Sequence, residues 1–413
     1  MAVELPGSEE ETAARALIAQ AGDALTQRRP AIPPTFVAQL YARVVPEDIV
    51  HYAAADIAQL AERAWDFLRE RQPGTPNIRC ETVGLTSAGG PKSVTVIEIA
   101  NDHMPFLVDS VMGELADRRL TVRLVAHPVF GVRRDGDKLA ALGAPDAADS
   151  ARESFIHIHL DPLEATACAE VVRALQNVLG EVRRAVQDWR PLLERINGIV
   201  ADLKTNPPPL AVDEIAEAIQ FLQWLLADNF TFLGLRDYKL VGGALEPDYD
   251  SALGIMRDRE LRVLKRGDEL LEITPEIMAF LKEPRPLIIA KANIHARVHR
   301  RVYLDYIGVK RFDAGGNLVG EFRIVGLFTS SAYTRSAHGT PYLRRKIAAV
   351  ERRAGFDPSS HSGKALANLS ATDSTSTRSS ATCPTSVSWR RAGEPGETAS
   401  CSQGRGCGRP LAD

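Results

Sequence analysis

The alternation of apolar and polar positions divides this chain into two mixed stretches of strand and helix, flanked and joined by helices. Ser8 to Gln27 predicts a first helix with Leu17, Ile18 and Leu25 on one face, stopped by the breaker-rich RRPAIPP at Arg28 to Pro34. From Pro46 to Arg71, Ile49, Ala53, Ile57, Leu60, Ala64, Phe67 and Leu68 recur at helical spacing, and PGTP at Pro73 to Pro76 closes that region.

SVTVIEIA, Ser93 to Ala100, alternates as a half-buried strand does. After the turn NDHM, Phe106, Leu107, Val111 and Leu115 fall at helical spacing, with Pro105 in the first turn where its missing N–H costs nothing. Leu120 to Asp135 reads as a strand entering a DGD turn, and Glu153 to Asp161 as another alternating strand. A long helix follows from Leu163 to about Leu203, with a possible break at Pro191. Strand, helix, strand, strand, helix predicts an α+β unit of ferredoxin-like or ACT-like type that lacks only a clear last strand.

Pro207 to Pro209 marks a boundary, followed by a helix with Ile215, Ile219, Leu222 and Leu226 on one stripe. Four strand-like runs come next, Phe230 to Val241, Pro286 to Ile294, Val298 to Phe312 and Gly320 to Thr329. The turn DAGGN at Asp313 to Asn317 should join the last two as an antiparallel hairpin. A basic helix occupies Pro341 to Phe356, and another begins at Ser362. At Ser370 the pattern stops. Through Asp413 there is no Ile, Phe, Tyr, Met or Lys, and only Val387, Trp389 and Leu411 are large and apolar. Such a segment cannot offset the entropy of ordering it and is expected to be disordered. The abruptness reads as a truncated or frame-shifted end, with the chain as the front part of something larger. The expected divisions are 1–34 (helix and linker), 35–206, 207–340, 341–369 (helical linker) and 370–413 (tail).

Composition narrows the classes. A net charge of −3 over 413 residues supplies no electrostatic reason for a nucleic-acid or anionic-membrane partner. No apolar run approaches the ~20 residues that span a bilayer. The acidic, alanine-rich start is not a secretory signal. Outside the tail, which holds Cys383, Cys401 and Cys407, only Cys80 and Cys168 remain, as suits a reducing, cytoplasmic setting.

Candidate chemistry is sparse. No G-x-G-x-x-G or P-loop opens a helix after a strand, so no cofactor site is expected in this chain. His157 and His159 share one face of a strand and would chelate a metal given a third ligand; a solvent-facing or interfacial strand edge is the plainer reading. Asn101, Asp102 and His103 are read as a loop before a helix N-terminus, where free amides would take the carboxylate of an amino-acid effector and Asp102 its ammonium. Asn101 or Asp102 would equally serve as an N-cap. Lys291, Arg297, His299, Arg300, Arg301, Lys310 and Arg311 form a basic cluster. Within it Lys291, Arg297, His299 and Arg301 are the candidates for an anion or a domain contact, Arg297, His299 and Arg301 sharing one strand face.

Four stretches carry a family resemblance: NDHMPFLVDSVMGEL, FLQWLLADNFTFLGLRDYKL, KANIHARVHRRVYLDYIGVKRFDAGGNLVGEFRIVGLFTSSAY and LRRKIAAVERRAGFDPSSHSGKAL. Together they resemble the N-terminal part of the large bacterial NAD-specific glutamate dehydrogenases, over roughly Thr35 to Leu369. The resemblance implies an ACT-like domain at about Thr82 to Arg190, a β-rich PAS-like domain at Phe230 to Ser331, and helical linkers. In that family the residues converting glutamate, water and NAD to 2-oxoglutarate, ammonia and NADH lie well downstream. It therefore implies a regulatory and oligomerisation portion with no catalytic residue and no NAD of its own, in a parent that forms homo-oligomers. An independent amino-acid-binding module, a nonfunctional pseudogene product and a metal enzyme using His157 and His159 are the alternatives.

Overall fold

The computed structural model describes residues 9–85, 92–147, 149–263, 265–266, 269–270, 283–334, 337–354 and 360–361. The expected tail and the helix from Ser362 lie outside them. Four helices come first: α1 (Glu9–Arg28), α2 (Phe36–Leu40), α3 (Pro46–Ile49) and α4 (Ala54–Leu68). The six strands of the first sheet are β1 (Asn77–Gly84), β2 (Ser93–Asp102), β3 (Val122–Ala126), β4 (Val129–Asp135), β5 (Lys138–Gly143) and β6 (Ala151–Leu160). Helix α5 (Leu107–Asp117) connects β2 to β3, and α6 (Ala165–Gln187) follows β6.

Every pairing is antiparallel, in the order β1-β2-β6-β4-β5, with β3 on β6 ahead of β4. The single strand expected over Leu120 to Asp135 is split at His127 and Pro128, because proline has no N–H to donate. Its halves pair end to end along β6, β3 with His157–Leu160 and β4 with Ala151–Ser154. The missing last strand is also accounted for. The place beside β2 is taken by β1, which precedes it in sequence. Arg79, Glu81 and Thr82 interrupt the apolar pattern of β1, and an edge strand needs only one buried side.

The half-buried reading of β2 and β6 is corrected, because both faces are covered. Val94, Val96, Ala100, Leu124, Phe130 and Phe155 meet the cap formed by α1–α4, where Leu25, Phe36, Leu40, Ile57 and Leu60 are buried. Ile97, Ile99, Ile156 and Ile158 meet α5 and α6 on the opposite side. Helix α1 thus belongs to the first core and is not a separate N-terminal element.

The expected long helix breaks at Asp188, three residues before Pro191. The Asp188 carboxylate accepts the Gly254 N–H at 2.7 Å and pairs with Arg257. Pro191 lies in the first turn of α7 (Trp189–Thr205), where it disturbs nothing. Helix α7 packs with α8 (Val212–Trp224) on the second sheet, through Leu192, Ile196, Phe221, Leu235, Ile307 and Ile324. Packing against the second sheet thus begins ahead of Pro207, where the boundary was expected, and the end of α6 already shares a core with Leu233, Tyr238 and Ile255. That sheet contains β7 (Phe230–Val241), β8 (Ala244–Gly254), β11 (Leu287–His295), β12 (Tyr303–Phe312) and β13 (Leu318–Phe328), in the antiparallel order β11-β12-β13-β7-β8. Strands β9 (Lys265–Arg266) and β10 (Glu269–Leu270) form a separate short pair. DAGGN joins β12 to β13 as expected. Strand β8 was not anticipated, because Pro247 and its acidic residues hide the period. An edge strand tolerates both. Two further helices, α9 (Ser330–Thr334) and α10 (Leu343–Ala354), follow.

Candidate functional site

The basic cluster lies where the two units meet. The connection from β11 to β12, Ala296–Val302, is a loop and not the strand expected from Val298. Val298 is fully buried and enters the core shared by α5, α6 and the second sheet, while His299 turns the chain at φ 69°. Arg297, His299 and Arg301 consequently do not line a strand face. Each reaches a carboxylate on the first unit. Arg297 pairs with Glu181 on α6 at 3.1 Å, His299 Nδ1 with Asp109 at 2.9 Å, and Arg301 with Glu114 at 2.6 Å and Asp117 at 3.3 Å. The His299 N–H donates to Ser110 Oγ at 2.9 Å, and the His299 ring lies 5.1 Å from that of Phe106. Gly113 makes the approach possible, because a Cβ there would lie 2.9 Å from Arg301 Cγ. Burial pushes the Glu181 carboxyl up, with Arg297 opposing it. Lys291 instead stays in its own sheet, 2.7 Å from Asp305.

Asn101, Asp102 and His103 do not form an open loop at a helix start, and this expectation is corrected. Asn101 and Asp102 end β2, and α5 begins only at Leu107, behind Phe106 in a left-handed conformation. Both Asp102 oxygens are engaged, one by Arg71 and one by Arg183 at 2.8 Å. Arg183 also donates to Asn101 Oδ1 at 2.8 Å. Burial alone would raise the Asp102 carboxyl, but the two guanidiniums hold it below the usual carboxylate range. The charge expected to receive an ammonium is thus already met by two guanidiniums. The His103 N–H donates to Arg152 O, and its Nδ1 lies 2.8 Å from Ser154 Oγ. Arg71 bridges onward to Glu153 at 2.7 Å, which Arg134 also holds. Sequence reasoning missed Arg71, Arg134 and Arg183, because their partners lie 19 to 82 residues away.

His157 and His159 are not solvent-facing. Both are completely buried in the middle of the sheet, facing the helical cap. Their Nε2 atoms lie 2.8 Å apart, Tyr52 Oη is 3.0 Å from His159 Nδ1, and Tyr41 Oη is 3.3 Å from His157 Nε2. His157 Nδ1 faces Glu98 at 3.7 Å, and Glu98 is held by Arg79. Burial, aided by His157, pushes His159 well below its ordinary range, so it is neutral at pH 7. Burial pushes Tyr52 up to about 12. Among the described residues no group of three or more His, Cys, Asp or Glu side chains is arranged to hold a metal. Cys80 and Cys168 are free thiols lining an open cleft of about 910 Å³, and burial with the neighbouring Cys168 raises the Cys80 thiol.

A six-stranded antiparallel sheet with α5 and α6 on one face and the helices α1–α4 on the other, followed by a second antiparallel sheet, defines an α+β protein. Residues 36–175 match the family described as the glutamate dehydrogenase ACT1 domain, and residues 340–372 match glutamate dehydrogenase helical motif 1. The chain is similar to the NAD-specific glutamate dehydrogenase of Halomonas elongata, at 36% identity over 81% of this chain and 21% of that protein. The Pseudomonas aeruginosa protein of the same name is 31% identical over the same shares, and that of Mycobacterium tuberculosis is 24% identical over 66% of this chain and 16% of its own. The chain therefore belongs to the NAD-specific glutamate dehydrogenase family and corresponds to an N-terminal part of those proteins. It spans about a fifth of the length of the curated relatives it matches. Among the described residues no helix is long and apolar enough to cross a membrane.

Proposed function

We propose that this chain is the regulatory and assembly portion of an NAD-dependent glutamate dehydrogenase, working in amino-acid catabolism in the cytoplasm. The parent reaction would convert glutamate, NAD and water to 2-oxoglutarate, ammonia and NADH. The observation that carries the reading is the ACT1 match over the first sheet together with the helical-motif match at its other end. The second sheet is read as PAS-like, a reading supported by its five antiparallel strands with helices α7 and α8 against one face. No NAD-binding or catalytic residue is assigned to this chain. Its role in this reading is to sense a small effector, an amino acid in the first instance, and to support homo-oligomerisation of the parent. Ion pairs between the β11–β12 loop and α5 and α6 would let a change in one unit be felt by the other.

The test is an assay of the purified 413-residue chain for NADH formation from glutamate. The expected rate is that of the buffer blank. NADH formation that depends on both glutamate and added NAD would overturn the reading.

A further inference from the structure

One cavity has played no part so far, although Lys291, Arg301 and Asp305, whose ion pairs are described above, line it. It has a volume of about 320 Å³, at the low end of the range for small-molecule pockets, and sits between the β11–β12 loop, the end of β13 and α9. Lys291, Arg300, Arg301 and Asp305 provide its charges, and Val302, Tyr303 and Tyr333 its mouth.

Among the lining residues three cations, Lys291, Arg300 and Arg301, meet one carboxylate, Asp305. Lys291 is neutralised by Asp305, whose second oxygen accepts the Phe328 N–H at 3.1 Å. Arg301 is neutralised by Glu114 and Asp117. Arg300 forms no close ion pair among the described residues, and of the lining groups only Asp305, already paired with Lys291, acts on its charge. Its Nη2 donates to the Phe328 carbonyl at 2.5 Å, and its Nε is buried without a hydrogen-bond partner. A guanidinium presents five donors, and a carboxylate is the group whose two oxygens match its fork. Arg300 thus lines the cavity with a guanidinium that shares its one nearby carboxylate with Lys291 and whose donors are incompletely used.

The walls say what else the ligand must have. Val302, Tyr303 and Tyr333 are 42%, 48% and 39% exposed, an apolar surface that a bare inorganic anion would leave wet. His295 stacks on Tyr303 with ring centroids 4.0 Å apart, which makes one wall flat and aromatic. We propose that this cavity binds a small organic carboxylate with an apolar or aromatic body. Arg300 receives the carboxylate, and Val302, Tyr303 and Tyr333 cover the body. Because Arg301, the next residue, is clasped by α5, occupancy would stiffen the loop that joins the two units. The assignment rests on the cavity and stands apart from catalysis and from the ACT-domain reading above.

The experiment is titration calorimetry on the full chain with 3-phenylpropionate, its neutral amide, acetate and inorganic phosphate. The 3-phenylpropionate should bind at least ~10-fold more tightly than each of the other three, the worth of one charge-assisted pair or one buried apolar body. Arg300→Gln should weaken it by at least ~10-fold. Tyr333→Ala, which removes a ring that is 39% exposed, should weaken it by about 3- to 10-fold through lost apolar contact. No heat with 3-phenylpropionate would overturn the proposal. So would equal binding of phosphate or of the amide, or affinity unchanged in both variants.

Discussion

Arg301→Ala is the sharpest probe of how the two units are held together. Its guanidinium is 14% exposed and meets two carboxylates of α5, of which Glu114 is 12% exposed and Asp117 58%. Asp117 faces water, so screening and side-chain entropy reduce that pair to a few tenths of a kcal/mol. The Glu114 pair is shielded and charge-assisted, which puts its loss at about 1.5–3 kcal/mol. It stays below the ~3–5 kcal/mol of a fully buried broken pair because Glu114 keeps Arg118, 2.9 Å away. The expected cost of Arg301→Ala is therefore about 2 kcal/mol, nearly all of it through Glu114.

The assay is a double-mutant cycle with Glu114→Gln, followed by urea unfolding, and a parallel cycle with Asp117→Asn. Coupling of about 1–2 kcal/mol is expected with Glu114, and under about 0.5 kcal/mol with Asp117. Additive effects of Arg301→Ala and Glu114→Gln would refute the reasoning. A second, earlier transition appearing in Arg301→Ala would support it, because a weakened junction lets the units melt separately.

Other expectations follow from the same geometry. Burial would raise the Glu217 carboxyl, but Arg344 and the Tyr342 N–H, at 2.6 Å each, hold it below the usual range. Its contribution is present above about pH 4.5, the unfolded value, and is lost as pH falls through the lower folded value. Glu217→Gln should cost about 1–2 kcal/mol at pH 7 and release α10, seen as faster amide exchange over Leu343–Ala354; unchanged exchange there would count against the clamp. His159 is depressed by burial, so the unfolded chain binds a proton near pH 6.5 that the folded chain refuses. Stability should then fall by up to ~1.4 kcal/mol per pH unit below that point, and His159→Gln should flatten the slope by one proton in urea titrations at pH 7 to 5. Gly308→Ala places a Cβ on Glu321 Oε1 and 3.0 Å from Tyr306 Oη, in a fully buried pair, and should lower stability by at least ~2 kcal/mol in thermal unfolding.

Much of the fold was legible in the chain. Strand β7 spans the expected Phe230 to Val241, because six apolar residues in twelve positions are bounded by Asn229 and a Gly-Gly turn. The hairpin at Asp313 to Asn317 was equally plain, since Asp313 Oδ1 accepts the Gly315 and Asn317 N–H groups locally. Strands β1 and β8 were not legible, because each is an edge strand whose apolar alternation is interrupted by charges or proline. The candidate sites fared differently. The residues around Asn101 to His103 carried a local turn signal, yet Arg71 and Arg183 arrive from distant segments and pair with Asp102. Arg300 offered no more signal than its basic neighbours.

Periodicity, turn chemistry and composition, all local properties, determined the α+β class, the helix and strand inventory and the family resemblance. The tertiary structure decided which charges are satisfied. It buried the two strand histidines, placed β1 where a last strand was missing, and turned a basic run into a junction on α5 and α6. Charge satisfaction depends on partners brought together from far along the chain, and the residue type alone does not carry that distance.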